Sequence, residues 1–181
     1  MKEKRLYLVG YMASGKTTFG KALAGKTGWN FIDLDEEIEK QEGRSITAIM
    51  AEEGEPFFRR LESKLLKRTA SLENTVIACG GGTPCQGDNM EFMTLHGMTL
   101  WLVASPDKLV ERILEAGDSR PIVAGKSRED LKDFVTSHLL KRQPYYCRAM
   151  WRHSSENLET PEEIEASVEK FLNDSDFKQR H

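Results

Sequence analysis

The clearest chemical signal in the sequence is a phosphate-binding loop. Residues 10–17 read Gly-Tyr-Met-Ala-Ser-Gly-Lys-Thr, a full match to the pattern G-x-x-x-x-G-K-[ST]. In this pattern backbone N–H groups surround phosphate oxygens, the lysine reaches the β- and γ-phosphates, and the final hydroxyl can ligate Mg²⁺. A turn that only joined a strand to a helix would not need Lys16 and Thr17 together. We therefore expect the following residues to bind a nucleoside triphosphate: Ala13, Ser14, Gly15, Lys16, Thr17 and Thr18.

A pair of aspartates follows the second predicted strand. Asp33 and Asp35 form an Asp-x-Asp string, and in an extended segment residues two apart point the same way. Both carboxylates would then face the sheet edge where the phosphate loop lies. One could help to hold Mg²⁺, and the other could receive a proton from a substrate hydroxyl. The alternative is that one aspartate caps the next helix, which leaves the other without a purpose.

Three successive glycines, Gly80, Gly81 and Gly82, end another apolar run. Such a turn lets backbone amides come close to a ligand or to the γ-phosphate. The alternative is a tight turn between a strand and a loop. We expect these glycines to line the same sheet edge as the phosphate loop.

Three arginines could supply cations to this site. Arg59 lies three residues before Glu62 on a predicted helix, and could instead form a solvated salt bridge. Arg142 lies where Pro144 is expected to break the helix, and its guanidinium could bind a carboxylate there through two hydrogen bonds. Arg120 lies in the glycine-bounded segment 115–128, which reads as a mobile lid that would bring its cation over the phosphates on closure.

The elements that must position these residues alternate between short apolar runs and longer helical patterns, which indicates βαβ units and a parallel sheet. The predicted strands are Arg5–Gly10, Asn30–Asp33, Thr75–Cys79, Met98–Val103 and Ala149–Arg152. The predicted helices are Lys16–Thr27, Leu34–Glu42, Ser45–Glu52, Pro56–Ser71, Gln86–His96, Pro106–Glu115, Glu129–Cys147 and Pro161–Leu172. The polar end, Asp174–His181, is expected to fray.

Composition narrows the function classes. The 181 residues carry a net charge of −3, with 39% hydrophobic and 30% charged residues, which is typical of a globular protein and excludes a broad basic surface for nucleic acid. The apolar run Leu6–Val9 is too short for a signal sequence or a membrane span. The three cysteines are scattered and suggest reduced thiols rather than a zinc site or disulfides. We expect a cytoplasmic monomer with no nucleic-acid or membrane partner.

Taken together, the strings resemble the shikimate kinase family from about Leu6 to Phe171. The motifs that carry the resemblance are residues 10–17, Asp33-x-Asp35, Gly43-Arg-Ser-Ile46, Gly54-Glu-x-x-Phe58-Arg59-x-x-Glu62, Gly80-Gly-Gly82, Arg120-Pro121 and Arg142-x-Pro144-x-Tyr146. The resemblance implies a three-layer α/β/α fold like that of nucleoside monophosphate kinases, with a five-stranded parallel sheet in the order 2-3-1-4-5. It also implies phosphorylation of the 3-hydroxyl of shikimate by ATP, on the route to chorismate. Residues 1–181 would form one domain, with a substrate-binding region at about 34–62 and a lid at about 115–128.

The resemblance also implies roles for single residues. Lys16 would contact the transferring phosphate, and Thr17 and Asp33 would hold Mg²⁺. Asp35 would bind the reacting hydroxyl and act as base. Arg59 and Arg142 would bind the shikimate carboxylate, and Gly80, Gly81 and Gly82 would line the substrate and the γ-phosphate. Arg112 would flank the adenine, and Arg120 would move in over the phosphates.

The sequence departs from the family pattern near the substrate. Met50 stands where phenylalanine is usual, and Thr83-Pro84-Cys85 replaces a small apolar pair.

Two other functions remain open at this point. A gluconate kinase would share Lys16 and Thr17 without needing the two arginines, and a silent nucleotide-binding regulator would bind nucleotide without turnover.

Overall fold

A computed structural model describes residues 4–117 and 127–177. Within these residues five parallel strands form one sheet in the order β2-β3-β1-β4-β5, which is the order expected above. The strands are β1 (Arg5–Val9), β2 (Asn30–Asp33), β3 (Thr75–Ala78), β4 (Met98–Val103) and β5 (Trp151–Ser154). The helices are α1 (Lys16–Thr27), α2 (Leu34–Glu42), α3 (Ile46–Glu53), α4 (Glu55–Arg68), α5 (Asn89–His96), α6 (Pro106–Glu115), α7 (Arg128–Tyr146) and α8 (Pro161–Asp174).

The central strand β1 is buried on both faces, because helices cover the sheet on each side. Leu6 and Leu8 pack in a cluster with residues of α1 and α8. Tyr7 and Val9, which point to the opposite face, pack in a second cluster with residues of α4, α5 and α7. The continuous apolar run in β1 is therefore that of a strand covered by helices on both sides.

Helix starts agree with the sequence more closely than other boundaries. Ser105 accepts a hydrogen bond from the N–H of Lys108, and Thr160 with Glu163 forms the expected capping box. The helix predicted from Gln86 begins instead at Asn89, because Gly87 has a φ of 48° that breaks helical geometry. The fifth strand begins at Trp151, two residues after the predicted Ala149, where its pairing with β4 starts.

Proline has different effects in two helices. The helix predicted over Pro56–Ser71 runs from Glu55 to Arg68 and then tightens to a 3₁₀ turn at Thr69–Ser71. Pro144 does not break α7, which continues to Tyr146. The prediction of a proline-broken helix beside Arg142 is therefore wrong, and this arginine lies on continuous helix.

The polar C-terminal segment is ordered further than predicted. Phe177 is fully buried, and its ring lies 5.1 Å from that of Trp29 and 5.7 Å from that of Phe171. The expected fraying from Asp174 onward is wrong as far as Phe177, because one aromatic side chain anchors the segment to the core.

None of the helices in the described residues is both long and apolar enough to cross a membrane.

Candidate functional site

The phosphate loop leaves the core at the end of β1 and turns directly into α1. Positive φ angles at Gly10 (145°), Ala13 (61°) and Gly15 (84°) bend the chain, and a Cβ on Gly10 would lie 2.6 Å from the carbonyl oxygen of Leu102. The loop therefore needs glycine at its first position. Backbone N–H groups at the start of α1 are capped by no side chain, which leaves them available to an anion.

Two side chains of the loop lie in different environments. Lys16 curls back, and its ammonium donates to the carbonyl oxygens of Gly10 at 3.0 Å and Tyr11 at 2.8 Å. Ser14 is buried, and its hydroxyl has no hydrogen-bond partner among the described residues. The lysine thus lies over the loop that it would serve when phosphates bind.

Asp33 uses its two oxygens for two different purposes. Oδ1 accepts the backbone N–H of Asp35 at 3.0 Å and caps α2, while Oδ2 accepts the hydroxyl of Thr17 at 2.7 Å. The capping alternative is therefore correct for one oxygen and leaves the other beside the phosphate loop. The reasoning from strand alternation is wrong, because Asp35 lies in the first turn of α2 and not in an extended segment.

Asp35 has the properties of a proton acceptor. Its Oδ1 is buried and has no hydrogen-bond partner within the described ranges. Burial, together with the negative charges of Glu62 and Asp33, raises the pKa of Asp35 to about 6, and the positive charges of Lys16 and Arg59 oppose this rise. A carboxylate with this pKa is ionised at neutral pH but remains basic enough to accept a proton.

Arg59 is held from two sides by carboxylates. Its guanidinium contacts Glu62 at 2.5 Å and Glu55 at 2.9 Å. Glu62 is fully buried and also accepts the hydroxyl of Thr83 at 2.6 Å. This is not the solvated salt bridge considered above, because one partner is inside the protein.

The predicted site residues do not include Glu62, although Glu62 belongs to one of the motifs that carry the family resemblance. A signal was present, since Glu62 lies between apolar residues on α4 and one turn after Arg59. A carboxylate in that position is buried only if a cation pairs with it.

Arg142 on α7 also lines the cavity. Its guanidinium carbon lies 5.4 Å from the ring centroid of Tyr11, and it takes part in no ion pair within residues 4–117 and 127–177. The two predicted carboxylate-binding arginines therefore line one cavity but have different supports.

The three glycines leave space for the site side chains. A Cβ on Gly80 would lie 2.6 Å from Glu62 and 2.9 Å from Asp35. On Gly81 it would lie 3.2 Å from Arg142, and on Gly82 it would lie 2.8 Å from Arg59. Since none of the three has a positive φ, the close approach of charged groups, and not a special turn, explains this string.

Arg112 ties the phosphate loop to the segment after β5. Its guanidinium donates to Glu159 at 2.8 Å, to the carbonyl oxygen of Ser155 at 2.8 Å and to that of Ala13 at 3.4 Å. Leu158 in the same segment covers Gly15. Arg112 therefore lies at the nucleotide end, whereas Arg120 and most of the predicted lid lie outside the described residues.

A single cavity of about 1460 Å³ joins these groups. It exceeds the roughly 300–1,000 Å³ of a pocket for one small ligand, so it has room for two. Predicted site residues in its lining are Ala13, Gly15, Lys16, Thr17, Thr18, Asp33, Asp35, Arg59, Gly80, Gly81, Gly82, Arg112 and Arg142. The predicted site residues do not include Glu62, Met12 or Phe58, which also line the cavity, and Met50 lies in the lining as expected for a residue near the substrate.

The oxygen donors beside the phosphate loop suit Mg²⁺. The Thr17 hydroxyl and the Asp33 carboxylate contact each other, and no group of three or more metal-binding side chains exists in the part of the chain that the structure describes. Mg²⁺ is commonly held by one or two protein oxygens together with phosphates and water. The two residues fit that mode of binding.

Comparison with known proteins supports the same family. A family model described as shikimate kinase matches residues 12–173. A shikimate kinase from Phocaeicola vulgatus is 44% identical over 167 residues, which cover 92% of this chain and 95% of that protein. The crystal structure of shikimate kinase from Bacteroides thetaiotaomicron has a TM-score of 0.90 at 43% identity, covering 94% of this chain and 97% of that one. Shikimate kinase from Acinetobacter baumannii, solved in complex with shikimate, has a TM-score of 0.82 at 31% identity and covers 94% and 92%.

Proposed function

This chain belongs to the shikimate kinase family, and from that premise we propose how its own residues transfer the γ-phosphate of ATP to the 3-hydroxyl of shikimate. The observation that carries the proposal is the shared cavity, which joins the phosphate loop to a buried carboxylate and two arginines. One end suits a nucleotide, and the other suits a small acid that carries hydroxyl groups.

The donor end binds and orients ATP. Backbone N–H groups of residues 13–18 bind the phosphates, and the dipole at the start of α1 favours their negative charge. Lys16 leaves the carbonyl oxygens of Gly10 and Tyr11 and donates to the transferring phosphate instead. Arg112 holds the adenine end of the nucleotide, and Arg120, from the lid proposed at about 115–128, supplies a further cation to the phosphates.

Asp35 acts on the acceptor hydroxyl. Its Oδ1, which has no hydrogen-bond partner in the described residues, accepts the 3-hydroxyl of shikimate and aligns that oxygen for attack. It takes up the proton as the new bond to the γ-phosphorus forms and the bond from that phosphorus to the leaving ADP breaks. A pKa of about 6, raised mainly by burial, keeps Asp35 ionised at neutral pH. The negative charge of the neighbouring Glu62 adds to the rise in the pKa of Asp35, and Glu62 also holds Arg59.

Arg59 and Arg142 bind the shikimate carboxylate at the far end of the cavity. A charge-assisted hydrogen bond is worth about 1.5–3 kcal/mol, so two arginines can fix the ring while Asp35 holds the hydroxyl. Gly80, Gly81 and Gly82 let the cyclohexene ring of shikimate come close to the backbone. The helices α2, α3 and α4 form the substrate-binding region at about 34–62.

Thr17 and Asp33 are the residues that would hold Mg²⁺ through their oxygens. An ion held there would neutralise part of the charge of the ATP phosphates. We propose that the active form is a monomer. We also propose that this monomer works in the cytoplasm.

A coupled assay for ADP tests the proposed function. With ATP, Mg²⁺ and shikimate the enzyme should release ADP, whereas gluconate in place of shikimate should give no release above background. Turnover of gluconate without turnover of shikimate would contradict the assignment. Nucleotide binding without any turnover would favour the silent regulator, which the presence of both Lys16 and Asp35 argues against.

A further inference from the structure

Arg142 lacks the ion pairs that hold Arg59, the other arginine proposed to bind the substrate carboxylate. Arg59 contacts two carboxylates, but no carboxylate pairs with Arg142 in the described part of the chain. A long side chain with many rotamers costs free energy when a ligand orders it. Something other than an ion pair must hold this guanidinium if it is to bind a carboxylate efficiently.

The ring of Tyr11 lies under the guanidinium of Arg142. The separation of 5.4 Å between the guanidinium carbon and the ring centroid is within the range of a cation–π contact. Tyr11 is buried, with 1% of its surface exposed. A buried ring in a fixed position defines where a stacked guanidinium can lie.

His138 fixes the position of that ring. The hydroxyl of Tyr11 lies 3.2 Å from Nδ1 of His138, and the two rings meet edge to face at 6.0 Å. Phe134 packs behind His138 at 5.0 Å. Phe134, His138 and Arg142 follow one another at intervals of four residues, so they lie on one face of α7.

Tyr146 supports Arg142 from the next turn of the same face. Its hydroxyl donates to the carbonyl oxygen of Gly81 at 2.5 Å, and the side chain is fully buried. Burial raises the pKa of Tyr146, while the adjacent charge of Arg142 opposes that rise. Tyr146 thereby joins α7 to the loop of Gly80, Gly81 and Gly82. Arg142 lies against the same loop, since a Cβ on Gly81 would be 3.2 Å from Nη1 of Arg142.

We propose that Tyr11 and Tyr146 are positioning residues for Arg142, and that His138 acts through Tyr11 to hold the guanidinium ready for the substrate carboxylate. The proposal rests on the proposed function, because it assigns Arg142 to that carboxylate. These residues touch no reacting atom. They reduce the cost of ordering Arg142 and so act on substrate affinity more than on the chemical step.

A double-mutant cycle between Tyr11 and Arg142 tests the proposal. Tyr11→Leu should lower kcat/KM for shikimate about tenfold, equal to about 1.4 kcal/mol, mainly through KM. In an Arg142→Ala background the same substitution should cost less than about twofold, because the group it positions is gone. Equal losses in both backgrounds, or no loss from Tyr11→Leu alone, would overturn the proposal.

The KM for ATP provides an internal control. Tyr11 contributes only its backbone carbonyl to Lys16, so its side-chain variants should leave the KM for ATP within about twofold. A parallel rise in both KM values would show general damage to the loop and would overturn the positioning role.

Gentler variants keep the test decisive if Tyr11→Leu does not fold. Tyr11→Phe and His138→Phe each remove one partner of the hydroxyl contact and keep an aromatic ring, so each should raise the KM for shikimate about threefold. The double variant should be no worse than either single one. Additive losses would contradict an action of His138 through Tyr11.

Tyr146 has a matched control in its neighbour. Tyr146→Phe should raise the KM for shikimate about fivefold, through loss of the hydrogen bond to Gly81. Tyr145→Phe removes a hydroxyl from a partly exposed side chain of the same helix and should leave the KM unchanged. Equal effects of the two substitutions would contradict the role of Tyr146.

Failure of this inference can be told apart from failure of the proposed function. Wild-type protein without shikimate turnover would contradict the proposed function itself. An active wild type in which the effects of Tyr11→Leu and Arg142→Ala are additive would contradict this inference alone.

Discussion

Arg59 and Arg142 line the same cavity but are supported by opposite means. Arg59 is held by carboxylates, one exposed on Glu55 and one fully buried on Glu62. Arg142 lies over the ring of Tyr11 in the described structure and has no ionic partner there. We call Arg59 with Glu55 and Glu62 the ionic arm. Removal of one of its charges lowers the stability of the fold, because another charge is left buried without a partner. We call Arg142 with Tyr11, His138 and Tyr146 the aromatic arm. Because it contains no carboxylate, it leaves the charge of Arg142 available to a ligand.

The difference predicts where the site is fragile. The ionic arm also contains Thr83 and lies against Asp35, so damage there reaches the proton acceptor. The aromatic arm connects α7 to the phosphate and glycine loops. Loss of the Arg142 charge there should alter substrate binding with little change in stability, because no buried carboxylate in the described residues depends on that charge.

The largest effect is expected from Glu62→Ala. Loss of this buried carboxylate leaves Arg59 without its inner partner and the hydroxyl of Thr83 without an acceptor. We expect a loss of about 3 kcal/mol in the free energy of unfolding. Urea unfolding followed by fluorescence measures it, with Glu55→Ala as the control. A loss below about 1 kcal/mol would show that the buried pair is not essential to the ionic arm.

Alanine at each arginine separates the two arms. Arg59→Ala and Arg142→Ala should each raise the KM for shikimate by about 10- to 100-fold, with the KM for ATP nearly unchanged, because each removes a charge-assisted contact to the carboxylate. Only Arg59→Ala should also lower stability, since it leaves Glu62 buried and unpaired. Steady-state kinetics and thermal unfolding check both points. Equal stability losses would erase the proposed difference between the arms.

The pH profile should respond to the ionic arm alone. Asp35 accepts a proton only when ionised, so kcat/KM should rise with pH through the pKa of about 6 and fall about tenfold per unit below it. Glu62→Gln removes a negative neighbour, which lowers the pKa of Asp35 and moves the midpoint to lower pH. Arg142→Ala should leave the midpoint in place. A shift to higher pH in Glu62→Gln would contradict the electrostatic account.

The smallest effect is expected from Glu55→Gln. The side chain of Glu55 is 59% exposed, and an exposed ion pair contributes about 0–1 kcal/mol. The KM for shikimate should therefore change by less than about threefold, and that change should shrink further in high salt. A loss as large as that of Glu62→Ala would show that the exposed carboxylate holds Arg59.

The phosphate loop and the helix starts could be predicted because their signals are local, whereas the sheet order was implied by the resemblance to the family. Lys16 and Thr17 belong to one short string, and the capping residues Ser105 and Thr160 directly precede their helices. The pairing of Asp33 with Thr17 also follows from the meeting of strand ends at one edge.

The supports of the two arginines could not be predicted, because they depend on contacts distant in the chain. Tyr11 and His138 are separated by 127 residues, and Tyr146 and Gly81 by 65. The continuation of α7 through Pro144 and the burial of Phe177 are likewise decided by packing. Residue type and spacing indicated which groups could do chemistry, but not what holds each in place.

The central claim is that Arg142 binds the substrate carboxylate. It is tested most directly by comparing shikimate with its uncharged methyl ester in the wild-type enzyme and in Arg142→Ala. The wild type should favour shikimate in kcat/KM by about 100-fold or more, and Arg142→Ala should reduce that preference at least tenfold, because one of the two cations facing the carboxylate is gone. An unchanged preference for the acid over the ester in Arg142→Ala would contradict the claim.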